Sequence, residues 1–142
     1  MDIQIATLCD FAVDYNGKMV ISGTFDALAA KALPVVHPQC SLAMRICMTP
    51  EDSGQHQLLI NIIDGDGNPI DPQKMPLKAD MPVQVPNEVT FVTRNLVLNF
   101  QGLRFPTAGI YSIDVSVDEE LVARLPLRIV QVDEKAQAQP PA

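Results

Sequence analysis

Apolar and polar residues alternate with a period of two along most of this chain. Because successive side chains of a strand point to opposite faces, such alternation predicts strands with one buried face. The clearest rows are Leu42, Met44 and Ile46; Leu58, Ile60 and Ile62; Tyr111, Ile113, Val115 and Val117; and Leu121, Ala123, Leu125, Leu127 and Ile129.

Turn signals separate these rows. Asn16-Gly17 stands between two β-like runs, residues 3–9 and 18–25. Since Asn and Gly tolerate the positive φ of a tight turn, this pair predicts a β-hairpin. Further turns are predicted at residues 49–55, 64–69 and 117–120.

Four segments depart from simple alternation. Residues 26–33 are rich in Ala and Leu and end before Pro34, which predicts one or two helical turns unless strand pairing competes. Residues 69–86 carry five prolines, which predicts a long loop or an interrupted edge strand. The apolar row shifts parity near Arg94-Asn95, which predicts a bulge. Pro126 places its strand at an edge or a bulge.

The pattern as a whole predicts an all-β fold. We expect an antiparallel two-sheet β-sandwich, Ig-like or jelly-roll-like, with 7–8 strands and one short helix. A length of 142 residues fits one domain. We assign residues 1–131 to the sandwich and residues 132–142, rich in Gln, Ala, Pro and charge, to a disordered C-terminal tail.

Charge and composition mainly exclude classes of function. The net charge is −7, with 17 acidic residues against ten scattered basic ones. Nucleic acids and anionic lipids attract clustered Lys and Arg, so neither nucleic acid nor membrane is expected as a partner. No apolar run is long enough to span a bilayer, and the first residues lack the features of a signal peptide. These observations predict a cytoplasmic protein.

The three cysteines, Cys9, Cys40 and Cys47, have no CxxC spacing. Because they lie in or at the start of strand-like apolar runs, we expect them to be reduced thiols that pack as small hydrophobic residues. A zinc site that combines them with His37 or His56, and a reactive or regulatory thiol, remain alternatives.

Carboxylates near turns raise two chemical hypotheses. Asp64-Gly65-Asp66-Gly67-Asn68 opens like a calcium loop, yet Pro69 and Met75 stand where an EF-hand needs glycine and glutamate, so a hairpin turn is favoured over weak calcium binding. Asp10, Asp14 and Asp26 are read as turn and cap residues rather than as acid/base catalysts.

No catalytic signature appears in the sequence. It contains neither GxSxG nor a phosphate-binding glycine loop. We therefore expect no enzyme, and we assign no catalytic, cofactor-binding or metal residues and no cofactor. With no Trp, and with Tyr15 as the one aromatic residue expected to be exposed beside a turn, a glycan platform is not indicated either.

Eight short segments occur in a characteristic order along the chain: ATLCD at 6–10, NGK at 16–18, GTF at 23–25, VHP at 36–38, LAMR at 42–45, NLVLN at 95–99, GLRF at 102–105 and GIY at 109–111. Together they resemble an uncharacterised family of small bacterial proteins known only as a domain of unknown function. The resemblance spans nearly residues 1–130 and implies a bacterial, cytoplasmic β-domain without an assigned activity.

Apolar residues also stand at outward positions of the predicted strands, where a solvated face should be polar. Either other parts of the chain cover them, or they form an interaction surface. We therefore expect an interaction or assembly module whose partner is itself or another protein; the alternative is a sandwich whose loops bind a small ligand or a divalent metal. These outward residues are Val20, Leu59, Ile63, Val97, Val122 and Val130.

Overall fold

The computed structural model describes residues 1–133. The predicted tail therefore lies outside the described residues, apart from residues 132 and 133. The nine strands of the described part are β1 Asp2–Tyr15, β2 Lys18–Thr24, β3 Ala27–Ala30, β4 Val35–Met48, β5 Gly54–Ile63, β6 Leu77–Val83, β7 Val92–Phe105, β8 Gly109–Val117 and β9 Glu120–Gln131.

The strands form two sheets, as the alternation predicts. Sheet A has the order β2-β1-β4-β7, and sheet B has the order β3-β9-β8-β5-β6. All pairings are antiparallel except that of β3 with β9. The expected all-β sandwich is confirmed, but it has nine strands rather than 7–8.

The predicted short helix is wrong. Residues 27–30 form β3, which pairs in parallel with β9. The backbone N–H of Arg128 donates to the carbonyl of Asp26, and that of Val132 donates to the carbonyl of Ala30, at 2.8 and 2.9 Å. These pairings with β9 override the helix propensity of the alanines. Within residues 1–133 the only helical segment is a 3-10 turn at Pro50–Asp52.

The predicted bulge near Arg94-Asn95 is also wrong. β4 and β7 keep one register from Val35 opposite Phe105 to Met48 opposite Val92. The parity shift has another cause, because the strand begins only at Val92 and Val89 packs on the core from the preceding loop. Phe91 is left exposed.

The main core lies between the sheets and includes the predicted rows of β4, β5 and β8. The hydroxyl of Tyr111 donates to the carbonyl of Thr107 at 2.8 Å, and its ring meets Phe105 edge-on at 5.0 Å. The proline-rich segment forms a loop and then β6, which lies at the edge of sheet B with Pro82 in it, as expected.

The first hairpin folds back over the outer face of sheet A. β1 pairs with β4 through Asp2–Cys9 and with β2 through Cys9–Tyr15, so it changes neighbours at Cys9. We call residues 10–23 the hairpin arm. A second cluster of buried residues shows that the arm lies against the outer face of sheet A. This cluster contains Cys9, Ala12 and Ala43, with Met19, Ile21 and Val97 packed against it.

Candidate interaction surface

The hairpin arm ends in the turn that the sequence predicts. Asn16 and Gly17 adopt φ values of 52° and 81°, which suit a two-residue turn between right-twisted strands. The Gly17 N–H donates to Oδ1 of Asp14 at 3.0 Å and fixes the turn. Tyr15 pairs with Lys18 across the turn. Local sequence chemistry therefore sets the register of the arm.

One face of the arm turns away from the rest of the molecule. Val13 lies opposite Val20, Phe11 opposite Ser22 and Tyr15 opposite Lys18, so alternation places all six side chains on this face. Phe11, Val13, Tyr15 and Val20 are 53 %, 39 %, 66 % and 45 % exposed. We call these six residues the arm face. It is a contiguous apolar row with Lys18 as its only charged residue.

The opposite face of the arm is held down by a polar network. The Arg45 guanidinium donates to Oδ1 of Asn95 at 2.7 Å, to Oγ1 of Thr93 at 3.0 Å and to the Gly17 carbonyl at 3.2 Å. The Asn95 amide donates to Asp14 Oδ1 and to the Gly17 carbonyl, both at 3.1 Å. We call this network the arm clasp. It joins the tip of the arm to β4 and β7.

Gly23 marks the base of the arm. Its φ is +71°, and a Cβ placed on it would lie 2.5 Å from Oδ2 of Asp10. A side chain is therefore disfavoured here by backbone conformation and by contact. This glycine lets β2 pass close to Asp10 where β1 leaves β4.

Of the six outward apolar residues predicted from sequence, only Val20 is exposed. Val97 packs under the arm, and Val122 packs on the main core. An irregular register opposite Val115 and Ser116 turns Val122 inward and leaves Leu121 47 % exposed, which reverses the predicted parity there. Leu59, Ile63 and Val130 are half-buried. Other parts of the chain therefore bury some of the outward apolar residues. The arm face is the apolar surface that stays exposed.

The Asp64 loop has the geometry of a turn. Oδ1 of Asp64 accepts the N–H groups of Asp66 and Asn68 at 2.9 and 3.0 Å, and its carbonyl accepts Gly67 N–H at 3.1 Å. Its carboxylate therefore serves its own backbone. Residues 1–133 contain no group of three or more His, Cys, Asp or Glu side chains placed to hold a metal ion.

Asp10, Asp14 and Asp26 do not converge on a site. All three are exposed. Asp14 belongs to the turn and the arm clasp, Asp10 lies against Gly23, and Asp26 offers its carbonyl to Arg128. The reading as turn residues fits this geometry for Asp14.

The three cysteines are free thiols on two faces of sheet A. Cys40 lies in the main core, and burial raises the pKa of its thiol to about 11. Cys9 lies under the arm, where its Sγ contacts the Ser41 carbonyl at 3.7 Å; burial also raises its pKa. High thiol pKa values disfavour reactivity, which fits the reading of these two residues as small hydrophobes.

The two histidines lie in different elements. His37 is in β4, and its ring lies 5.7 Å from that of Phe25. His56 joins two turns, because Nδ1 meets Oδ2 of Asp118 and Nε2 meets the Asp52 carbonyl, both at 2.6 Å. These hydrogen bonds, first that to Asp118, raise the pKa of His56. Because both ring nitrogens are hydrogen-bonded, His56 has a structural role that connects the two turns.

The sequence could predict the turn of this surface and the exposure of Tyr15, but not the row as a whole. Phe11 and Val13 read as ordinary strand residues with a buried face. One signal in the sequence does indicate this row: apolar residues occupy both faces of residues 11–21. A hairpin of this kind must be buried on both faces or expose one apolar face to a partner.

These features define the class of protein: a two-sheet, largely antiparallel β-sandwich whose first hairpin lies against the outside of one sheet. Residues 4–130 match the model of a family described as "Family of unknown function (DUF6941)". The chain therefore belongs to that family, which confirms the resemblance read from its sequence segments.

Two other comparisons complete this picture. No curated protein matches the chain. Among solved structures, an immunoglobulin-like protein from Pseudomonas aeruginosa is similar at 14 % identity and a TM-score of 0.36, with 90 % of this chain and 94 % of that chain covered. The classification as a β-sandwich is based on the strand order of the two sheets and not on this similarity. Residues 1–133 include no helix of the length and apolarity needed to cross a membrane.

Proposed function

We propose that this chain is a non-enzymatic assembly module that self-associates through the arm face. The observation that carries the proposal is the contiguous exposed row of Phe11, Val13, Tyr15 and Val20. The other large apolar side chains exposed within residues 1–133 lie on separate strands or outside the strands: Met1, Val36, Phe91, Ile110 and Leu121.

Charge favours a second copy at this surface. The chain carries a net charge of −7, so most contacts between copies would oppose acidic side chains. The arm face has no acidic residue among its six side chains. Two copies related by a two-fold axis could therefore bury both rows without acidic repulsion.

The strand next to this face is open as well. β2 lies at one end of sheet A and, within residues 1–133, has β1 as its only strand neighbour. Backbone pairing with β2 would place a partner strand beside the arm, in the plane of the sheet, whereas burial of the arm face stacks two arms face to face; the proposal therefore uses the face and not this edge. The proposed contact is isologous: the same arm is used by both copies.

Sedimentation equilibrium on matched double variants tests the proposal. Phe11→Thr with Val20→Thr removes two side chains from the arm face while keeping strand propensity. Phe91→Thr with Val36→Thr is the control, since those residues are 55 % and 56 % exposed on other elements. We expect wild type and control to dimerise alike and the arm-face variant to have a dissociation constant at least about tenfold higher.

Two outcomes would oppose the proposal. One is a wild-type protein that stays monomeric up to about millimolar concentration, where even a weak specific dimer would form. The other is equal weakening of dimerisation by both double variants, which would place the contact elsewhere. Circular dichroism of each variant confirms that the fold is kept.

A further inference from the structure

β7 is a second open edge, at the other end of sheet A. It spans 14 residues, Val92–Phe105, and has β4 as its only strand neighbour. No backbone hydrogen bond joins it to any other described segment. Since alternate residues of an edge strand point their N–H and C=O groups outward, β7 presents a long template for an added strand.

Both edges of sheet B are short or interrupted. β6 has seven residues and contains Pro82, and β3 has four residues. Beyond β3, the exposed part of β9 contains Pro126. Proline and short length are common protections against unwanted strand pairing. β7 has no proline and keeps one register with β4, and its irregular residue, Gly102 with a φ of 65°, lies near its end, so residues 92–101 lack these protections.

The charge of this edge is opposite to that of the molecule. No acidic residue occurs from Val89 to Ile113, whereas Arg94 and Arg104 lie near the two ends of β7. This stretch is therefore basic in sequence, but at its first end Arg94 donates to the Pro82 carbonyl at 3.0 Å and Asn95 donates to Asp14 of the arm, so the positive charge that the edge presents lies at the Arg104 end. An acidic partner would be attracted here and repelled by most of the remaining surface.

A cavity of about 250 Å³ borders the Phe105 end of the strand. It lies between residues 70–75 of the proline-rich loop and residues 101–104 of β7, and its cations are Lys74 and Arg104. Neither forms an ion pair within residues 1–133. Asp71, the one acidic residue of the lining, accepts the Gln73 N–H at 3.0 Å. The cavity thus offers two cations that form no ion pair within residues 1–133, beside backbone groups of β7 that no described strand pairs.

A second copy of β7 is a poor occupant of this edge. A second copy of β7 would bring its own Arg94 and Arg104 to this edge and no carboxylate, because no acidic residue occurs from Val89 to Ile113. Like charges in opposed positions destabilise a strand pair. An extended segment with acidic side chains meets the same positions with the opposite sign.

We propose that the β7 edge binds an extended acidic peptide segment of another protein by strand addition, with one carboxylate of the segment held between Lys74 and Arg104. Main-chain hydrogen bonds supply affinity in this mode, and the charged positions supply specificity. This proposal is independent of self-association through the arm face.

Fluorescence anisotropy with a labelled synthetic peptide tests the proposal. The probe alternates glutamate with valine over the length of a short strand. A second peptide has lysine in place of glutamate, and a third has the glutamate sequence with alternate backbone nitrogens methylated. We expect saturable binding of the first peptide in the micromolar range, and at least tenfold weaker binding of the other two.

Protein variants locate the site. Arg104→Glu should weaken binding of the glutamate peptide at least tenfold. Arg128→Glu is the matched control, because Arg128 is an exposed strand residue of sheet B with the same change of charge, and its affinity should equal that of wild type. The amide NMR signals that shift on binding should belong to β7.

Three results would overturn the proposal. One is the absence of saturable binding by the glutamate peptide. Another is equal weakening by Arg104→Glu and Arg128→Glu, which would show general charge attraction. The third is unchanged binding of the N-methylated peptide, which would show that the backbone of the edge is not used.

Discussion

At the residue scale, His56 belongs to a residue type that often acts in catalysis or metal binding, but here it has a structural role. It connects the turn after β4 with the turn between β8 and β9 through Asp52 and Asp118. Asp52 also accepts a hydrogen bond from the Met1 amino group at 3.0 Å. The hydrogen bonds to Gln57 N–H and His56 lower the pKa of Asp118. This group of charges ties neighbouring turns together.

The raised pKa of His56 predicts a pH dependence of stability with a definite sign. A histidine whose pKa is higher in the folded state contributes stability that is fully present below its unfolded value, 6.5, and is lost as pH rises through the folded value. The free energy of unfolding of wild type minus that of His56→Gln should therefore be largest near about pH 6 and smaller at about pH 9.

Urea unfolding followed by circular dichroism across this range measures the difference. Asp118→Asn is a second variant that should reduce the same dependence, because it removes the charge that faces Nδ1. A difference that is constant with pH, or that grows as pH rises, would contradict the assigned role.

At the element scale, the hairpin arm shows what sequence can and cannot predict. Asn16-Gly17 specifies the turn through local φ preferences, so the hairpin itself was predictable. Its position against sheet A depends on long-range contacts, namely the small buried residues Ala12 and Ala43 and the reach of Arg45 to Gly17. Single-strand periodicity contains no information about such pairing.

The incorrect predictions have the same origin. The alanines of residues 27–30 favour a helix locally, but backbone pairing with β9 outside their own segment decides the structure. Likewise, Val122 faces the core because of an irregular register between β8 and β9, which alternation along one strand does not reveal. Strand existence was predictable, and partners and irregularities were not.

The arm clasp predicts a local effect of Arg45. In Arg45→Met the guanidinium bonds to Asn95, Thr93 and Gly17 are lost while the length of the side chain is kept. We expect a loss of about 1–2 kcal/mol in the free energy of unfolding and faster hydrogen exchange in the arm. Hydrogen exchange of individual amides measures this effect.

Arg124→Met is the matched control for the clasp. Arg124 makes a bidentate ion pair with Asp114 on the outer face of sheet B, and its side chain is 58 % exposed. Exposed pairs of this kind contribute about 0–1 kcal/mol, and exchange in the arm should not change. Arm amides that exchange at the wild-type rate in Arg45→Met would show that the clasp does not anchor the arm.

At the scale of the whole molecule, the sandwich leaves two surfaces incomplete. The arm face is apolar and free of acidic groups, and the β7 edge is basic with unpaired backbone. Their different chemistry leads to different proposed partners: a second copy of this chain for the first and an acidic extended segment for the second. A module with both contacts would assemble with itself and hold a partner.

The most direct test of the central claim is a methyl NMR concentration series on the wild-type protein. If copies meet through the arm face, the methyl signals of Val13 and Val20 shift with concentration along one binding curve, while those of Val36 and Ile110, which are more exposed but lie elsewhere, stay fixed. Concentration-dependent shifts centred on Val36 or Ile110, or no shifts at Val13 and Val20, would contradict the account.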